Sequence, residues 1–266
     1  MARTVAVFSL GGAPGVTTFA MALASVWPGK AGAVLLEADA AGGDIAAWRR
    51  LPTSPGLVDL AAAARHEQTP GAQALALLAH AQTLPGGLPV CVAPATAERA
   101  GGAVRLLSQH PRVLAARTGP AAVMDLGRLV PRSPTAQLAV AADTAVLLVH
   151  DDLAQLRRVK EAAAALAAGF GELGLVVRDG RDSDTEIAQA VELPVWGRVP
   201  TDAKGAAFVR GERAGRRPGR WPLLNAAAAL ARRLADGGAT ASAVAGPPAA
   251  VVPPAAPPAP TATGRA

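Results

Sequence analysis

Ser9-Leu10-Gly11-Gly12-Ala13-Pro14-Gly15-Val16-Thr17-Thr18 joins an apolar run at 4–8 to a second run at 17–27 whose spacing predicts a helix. Strand, glycine-rich turn and helix start, in that order, form a layout in which stacked backbone N–H groups and the helix dipole hold an anion such as phosphate. The full pattern is G-x-x-x-x-G-K-S/T, where the lysine reaches the outer phosphates and the hydroxyl holds magnesium. On that frame Gly15 is the second glycine, Thr17 the magnesium hydroxyl, and Thr18 continues the helix. Leu10 stands in place of the first glycine and Val16 in place of the lysine, and Pro14 removes one backbone donor. Gly-Gly and Pro-Gly are also ordinary turn chemistry. The motif alone therefore leaves a purely structural turn as an equal reading.

Neighbouring carboxylates favour the phosphate reading. A second apolar strand, 34–36, runs into Glu37-Ala38-Asp39, and a third, 121–124, delivers Asp125. A carboxylate at the carboxyl end of a parallel strand faces the crevice where open α/β sheets bind ligands. Asp39 and Asp125 are thus placed to approach a magnesium ion held by Thr17.

With these residues in place, the sequence resembles the MinD/ParA family of P-loop ATPases, from the first strand to about residue 235. The family's loop reads G-K-G-G-x-G-K-T-T. Here Gly11 takes the position of its first lysine and Val16 that of its second, while Gly12, Gly15, Thr17 and Thr18 match. Glu37-Ala38-Asp39 is similar to the family's Asp-x-Asp, which implies a water-activating, catalytic role for Asp39; Asp125 falls on the Walker B aspartate. Ala142-Asp143 and the stretch 193–202 resemble two later family segments. The branch it looks most like is the degenerate one that includes TadZ/CpaE-like proteins of Flp/Tad pilus systems and actinobacterial MinD-like proteins. The resemblance implies ATP or ADP with magnesium as cofactor, bound by Gly11, Gly12, Gly15, Val16, Thr17 and Thr18 with magnesium near Thr17, Asp39 and Asp125. It also implies a nucleotide-sandwich homodimer and a protein partner in a pilus, secretion or partition system. A single missing phosphate cation costs roughly 10³-fold or more in phosphoryl transfer. The absence of both loop lysines therefore predicts weak hydrolysis or none, and a nucleotide that acts as a conformational ligand. A working ATPase for partitioning or division-site placement is the alternative, and it needs a cation from elsewhere.

Strand and helix patterns alternate through the second half: strands at 145–150, 173–177 and 195–199, and helices at 153–168 and 184–190. This predicts an α/β, doubly wound, mostly parallel sheet spanning 1–236. Asp152 is expected to cap its helix. The middle of the chain reads more coarsely, with helices ending at Ala64 and covering 71–79 and 97–107, and one strand over 83–93. With 51% hydrophobic but only 3% aromatic residues and no tyrosine, the core is built from Ala, Leu and Val, and base-stacking platforms are improbable. The one cysteine, Cys91, suits a reducing cytoplasm and reads as core packing. His66, His80 and His110 lack ligand spacing. No leader is expected at Met1-Ala2-Arg3, and no run suits a membrane span.

The formal net charge of +6 is carried mostly by arginine. Arg210, Arg213, Arg216, Arg217 and Arg220 cluster in a Gly/Pro-rich loop between two helices, read as a solvated loop, a nonspecific DNA patch, or a site for anionic lipid or an acidic partner. A final amphipathic helix follows from Trp221 to Leu234. From 237 to 266, proline and alanine dominate and predict a disordered tail without an amphipathic membrane anchor.

Overall fold

The computed structural model describes residues 3–12, 14–65, 77–114, 119–213 and 221–237. The strands are β1 (Thr4–Ser9), β2 (Ala33–Glu37), β3 (Gln82–Thr83), β4 (Pro89–Cys91), β5 (Ala121–Arg128), β6 (Thr144–His150), β7 (Leu173–Arg178) and β8 (Val195–Val199). The helices are α1 (Val16–Ser25), α2 (Ile45–Arg49), α3 (Leu57–Ala64), α4 (Ala97–Ser108), α5 (Pro134–Val140), α6 (Leu153–Gly169), α7 (Asp184–Val191), α8 (Ala203–Arg210) and α9 (Pro222–Ala235). The strands form one sheet in the order β3-β4-β2-β5-β1-β6-β7-β8. Among the described residues only the β3–β4 pair is antiparallel.

Strands covered on both faces need apolar residues at nearly every position, and β1, β2 and β6 supply them. Alternate residues then serve opposite cores. Ala6, Phe8, Met124 and Leu147 face one core, closed by α3, α4, α5, α6 and α7. Val5, Val7, Val123 and Val146 face the other, closed by α1, α2, α8 and α9. Phe8 is fully buried and stacks on Phe170 with centroids 5.5 Å apart. Cys91 is buried in the first core, and burial pushes its thiol pKa far up, which keeps it a neutral packing group.

The doubly wound sheet agrees with the sequence reading, with three corrections. The strand expected over 83–93 is two strands, because Gly86 and Gly87 at φ +104° and +91° turn the chain back into a hairpin. Asp125 does not end its strand but lies within β5, which continues to Arg128. The short helices α2 and α5 were invisible to periodicity. The helix expected at 71–79 lies mostly outside the described residues; 77–79 are helical. Asp152 caps α6 as expected, its Oδ1 accepting from Gln155 N at 3.0 Å. Asp143 ties the amino ends of β1 and β6, its Oδ2 accepting from the backbone and hydroxyl of Thr4.

Candidate functional site

The turn leaving β1 sits where the strand order switches: β1 lies between β5 and β6, with β2 to β5 on one side of it and β6 to β8 on the other. Ligands of open α/β sheets bind outside the carboxyl ends of the strands at such a point. Gly15 ends the turn as the N-cap of α1 at φ +86°, a left-handed conformation that favours glycine. No side chain caps α1 and no acid occupies its first turn, so these backbone donors face outward with the positive end of the dipole. Val16 turns inward and is buried in the α1-side core, while Thr17 and Thr18 stay half-buried beside the turn.

Opposite them stand three carboxyl groups. Glu37 and Asp125 are register partners across β2 and β5, and strand parity puts Asp125 on the α1 side of the sheet. Asp125 is fully buried; its Oδ1 accepts from Gly127 N at 3.1 Å, and among the described residues its Oδ2 has no hydrogen-bond partner. Burial pushes its pKa up to about 7, and the charges of Glu37 and Asp39 push the same way, against the nearby Thr17 side chain and the Gly127 amide. Burial likewise raises Asp39, whose Oδ1 accepts from Ala41 N at 2.8 Å. A buried carboxylate oxygen without a donor is costly. Beside a hydroxyl and a second carboxylate, that orphan oxygen fits a hard divalent cation. Among the described residues no three His, Cys, Asp or Glu side chains form a metal site by themselves. Magnesium does not need one, since it leans on one or two carboxylates, phosphates and water.

Glu37 has a different task. Its Oε1 accepts from Asp44 N and Ile45 N at 2.7 and 2.9 Å, and its Oε2 from Ala93 N at 2.8 Å. It pins the turn after β2 to the end of β4. Burial raises its pKa despite those three donors. A glycine bulge completes the site: Val7 pairs with Asp125 and Ser9 with Arg128, so β5 carries one extra residue, and Gly127 takes φ +56° there. A Cβ on Gly127 would fall 1.8 Å from Asp39 Oδ2, so glycine is what lets Asp39 approach.

Three polar side chains that the sequence reading did not assign to the turn lie against it. Arg178, at the carboxyl end of β7, donates from Nη1 to Pro14 O at 3.1 Å and lies 3.7 Å from where a Cβ on Gly15 would be. Arg158 Nη1 and Gln155 Nε2, one turn apart on α6, lie 2.6 and 2.7 Å from where a Cβ would stand on Gly11 and Gly12. Arg178 ends an apolar strand, which the sequence shows, but its place beside Pro14 depends on the strand order.

Of the five clustered arginines, Arg216, Arg217 and Arg220 lie outside the described residues. Arg210 is the last residue of α8, not part of a free loop; it pairs with Glu212 at 2.6 Å and lies over Trp48. Arg213 lies over Trp221. Beside them, a groove of about 880 Å³ runs along α1 past Trp27, Lys30, Arg49 and Phe208, and none of the turn residues 9–18 lines it.

No protein-family model matches the sequence, and no curated protein matches it. Solved structures do. A ParA family ATPase from Chlorobium tepidum matches over 88% of this chain and 98% of its own, at 17% identity and a TM-score of 0.65. The septum site-determining protein MinD of Pyrococcus horikoshii, in complex with Mg-ADP, matches over 88% and 96%, at 15% identity and a TM-score of 0.64. An ATP complex of a Cyanothece McdA variant matches over 89% and 96%, at 14% identity and a TM-score of 0.62. This chain has the α/β fold of the MinD/ParA P-loop ATPases.

Proposed function

We propose that the protein is a nucleotide-responsive positioning or scaffolding factor of the MinD/ParA type, with ATP or ADP and magnesium bound at the turn after β1. The observation that carries this reading is the meeting of Thr17 with the buried, half-unsatisfied Asp125 beside the uncapped start of α1. The backbone N–H groups of the turn and first helical residues hold the phosphates; Gly11, Gly12 and Gly15 let them approach. Thr17, Asp39 and Asp125 hold the magnesium ion, directly or through water, and the ion neutralises phosphate charge. Asp39 is also the group placed to orient water. Val16, buried in the core, contributes its backbone N–H and no charge.

The nucleotide serves as a ligand that favours one of two states, here the homodimer, in proportion to its differential affinity for them. The finer assignment, to a Tad/Flp-type pilus or secretion machine in the cytoplasm, rests on the degenerate loop Leu10–Thr18 alone. Among the described residues no helix is long and apolar enough to cross a membrane. A working ATPase of partitioning or division-site placement is the second reading, favoured by one observation: two guanidinium groups lie against the turn that lacks lysines. DNA contact through the arginine cluster is weakened for Arg210, whose charge Glu212 already balances.

Light scattering of the purified protein with and without Mg-ATP tests the gating. The mass should double on adding nucleotide. A mass that stays constant while nucleotide is bound rejects nucleotide-gated dimerisation.

A further inference from the structure

The geometry points to Arg178 and Arg158 as the cations that bind the phosphate chain of a nucleoside di- or triphosphate at this turn, in place of the lysines missing at Val16 and Gly11. This deepens the nucleotide reading above and rests on it.

Each side of the turn has its own guanidinium. Arg158 Nη1 fills the space that a side chain on Gly11 would take, 2.6 Å from the Cβ position. Among the described residues Arg158 has no ion-pair partner, so its charge stands uncompensated beside the glycines. On the other side, Arg178 is held in place from three directions. Nη1 donates to Pro14 O at 3.1 Å, Nη2 to Thr201 Oγ1 at 3.4 Å, and Nε lies 3.7 Å from Asp179 Oδ2. Asp179 also accepts from the backbone and hydroxyl of Thr201, so its carboxylate is shared between Thr201 and Arg178. The guanidinium thus reaches the last residues before α1, beside the helix's free N–H groups.

Glu37, Asp39 and Asp125 come from the β2–β5 side, suited to a divalent cation, and the two guanidinium groups that lie against the turn, Arg158 and Arg178, come from the β6–β7 side, suited to phosphate oxygens. A polyphosphate with its metal is the ligand class that satisfies both at once. The planar fork of arginine also matches two phosphate oxygens where lysine offers a point charge. Both arginines come from the same chain as the turn, so binding needs no second subunit.

The test is equilibrium binding of Mg-ATP and of AMP to the full chain and to Arg178→Ala, Arg158→Ala, Arg178→Lys and, as a control on the outer face of α9, Arg232→Ala. Each alanine variant at the turn should weaken Mg-ATP roughly 10- to 100-fold, as expected for losing a charged hydrogen bond. AMP binding should change little, so the preference for ATP collapses. Arg178→Lys should recover part of it, and Arg232→Ala should match wild type. If wild type binds Mg-ATP and both alanine variants bind it equally well, the arginines are not the phosphate cations, while the nucleotide reading stands. Tighter binding in either variant identifies a plug, not a ligand, and also overturns the assignment. If wild type binds no nucleotide, both proposals fall. Arg158 lies on an exposed position of α6, so its variant carries the test even where Arg178→Ala fails to fold.

Discussion

Asp125 concentrates the conflict between stability and function in one side chain. It is fully buried with one oxygen unsatisfied, and its pKa is pushed up to about 7. A raised folded-state pKa means that the native protein binds this proton more tightly than the unfolded chain. Stability is therefore full below the ordinary carboxyl range and is lost as pH rises through about 7. In metal-free protein with a chelator present, thermal unfolding should show a loss on the order of several kcal/mol between about pH 4 and about pH 8 from this residue. Asp125→Asn should flatten that slope and raise the melting temperature at the alkaline end; an unchanged profile would count against the burial argument. Gly127→Ala is the complementary probe. Its Cβ would strike Asp39 Oδ2, and its φ of +56° is unfavourable for alanine. It should cost about 1 kcal/mol or more of stability and weaken Mg-dependent nucleotide binding, read by comparing affinities with magnesium and with EDTA. Thr17, Asp39 and Asp125 were legible because a strand followed by an acid or a hydroxyl is a local signal. Gly127 was not, since a bulge is a property of two paired strands. Arg178 meets Pro14 across 164 positions, and only the strand order brings them together.

At the scale of elements, Gly174 in β7 shows how tightly the far edge of the sheet is built. A Cβ there would stand 2.0 Å from the indole of Trp196 on β8, and Trp196 in turn lies under Arg233 of α9 at 5.4 Å. Gly174→Ala should therefore displace the indole and cost roughly 1–3 kcal/mol as overpacking, measured by denaturant unfolding. A cost below a few tenths of that would mean that β8 moves freely. α6 was predictable to within a residue or two because Asp152 announces it, accepting from the backbone three residues on, and in the structure Ser183 caps α7 in the same way. α2 was missed because five residues cannot display a helical period, and its start is fixed by Glu37 from another strand. The turn residues Pro85-Gly86-Gly87 are visible in the sequence, but β3 is only two residues long and too short to show a strand pattern of its own, so 83–93 reads as one strand.

The structure has two cores on either side of one sheet, and the turn after β1 lies at the carboxyl ends of its central strands. The overall doubly wound plan was legible from alternating strands and helices, since that alternation leaves few other ways to bury both faces of a parallel sheet. The meeting of the acids from β2 and β5 with Arg158 and Arg178 at the turn was not, because it depends on β5 and β6 flanking β1. A ligand that spans both sides ties the two halves of the sheet together. Nucleotide at about a hundred times its Kd should add roughly 2.7 kcal/mol of apparent stability by mass action, visible as a raised Tm that Asp125→Asn and Arg158→Ala each reduce.

The most direct measurement is equilibrium binding of labelled ATP to the purified full chain, with magnesium and with EDTA, alongside phosphate release. The account predicts saturable binding that weakens when magnesium is removed. Binding without release identifies a gated scaffold, and release identifies an ATPase. No binding at millimolar nucleotide would contradict the account and leave the turn after β1 as architecture alone.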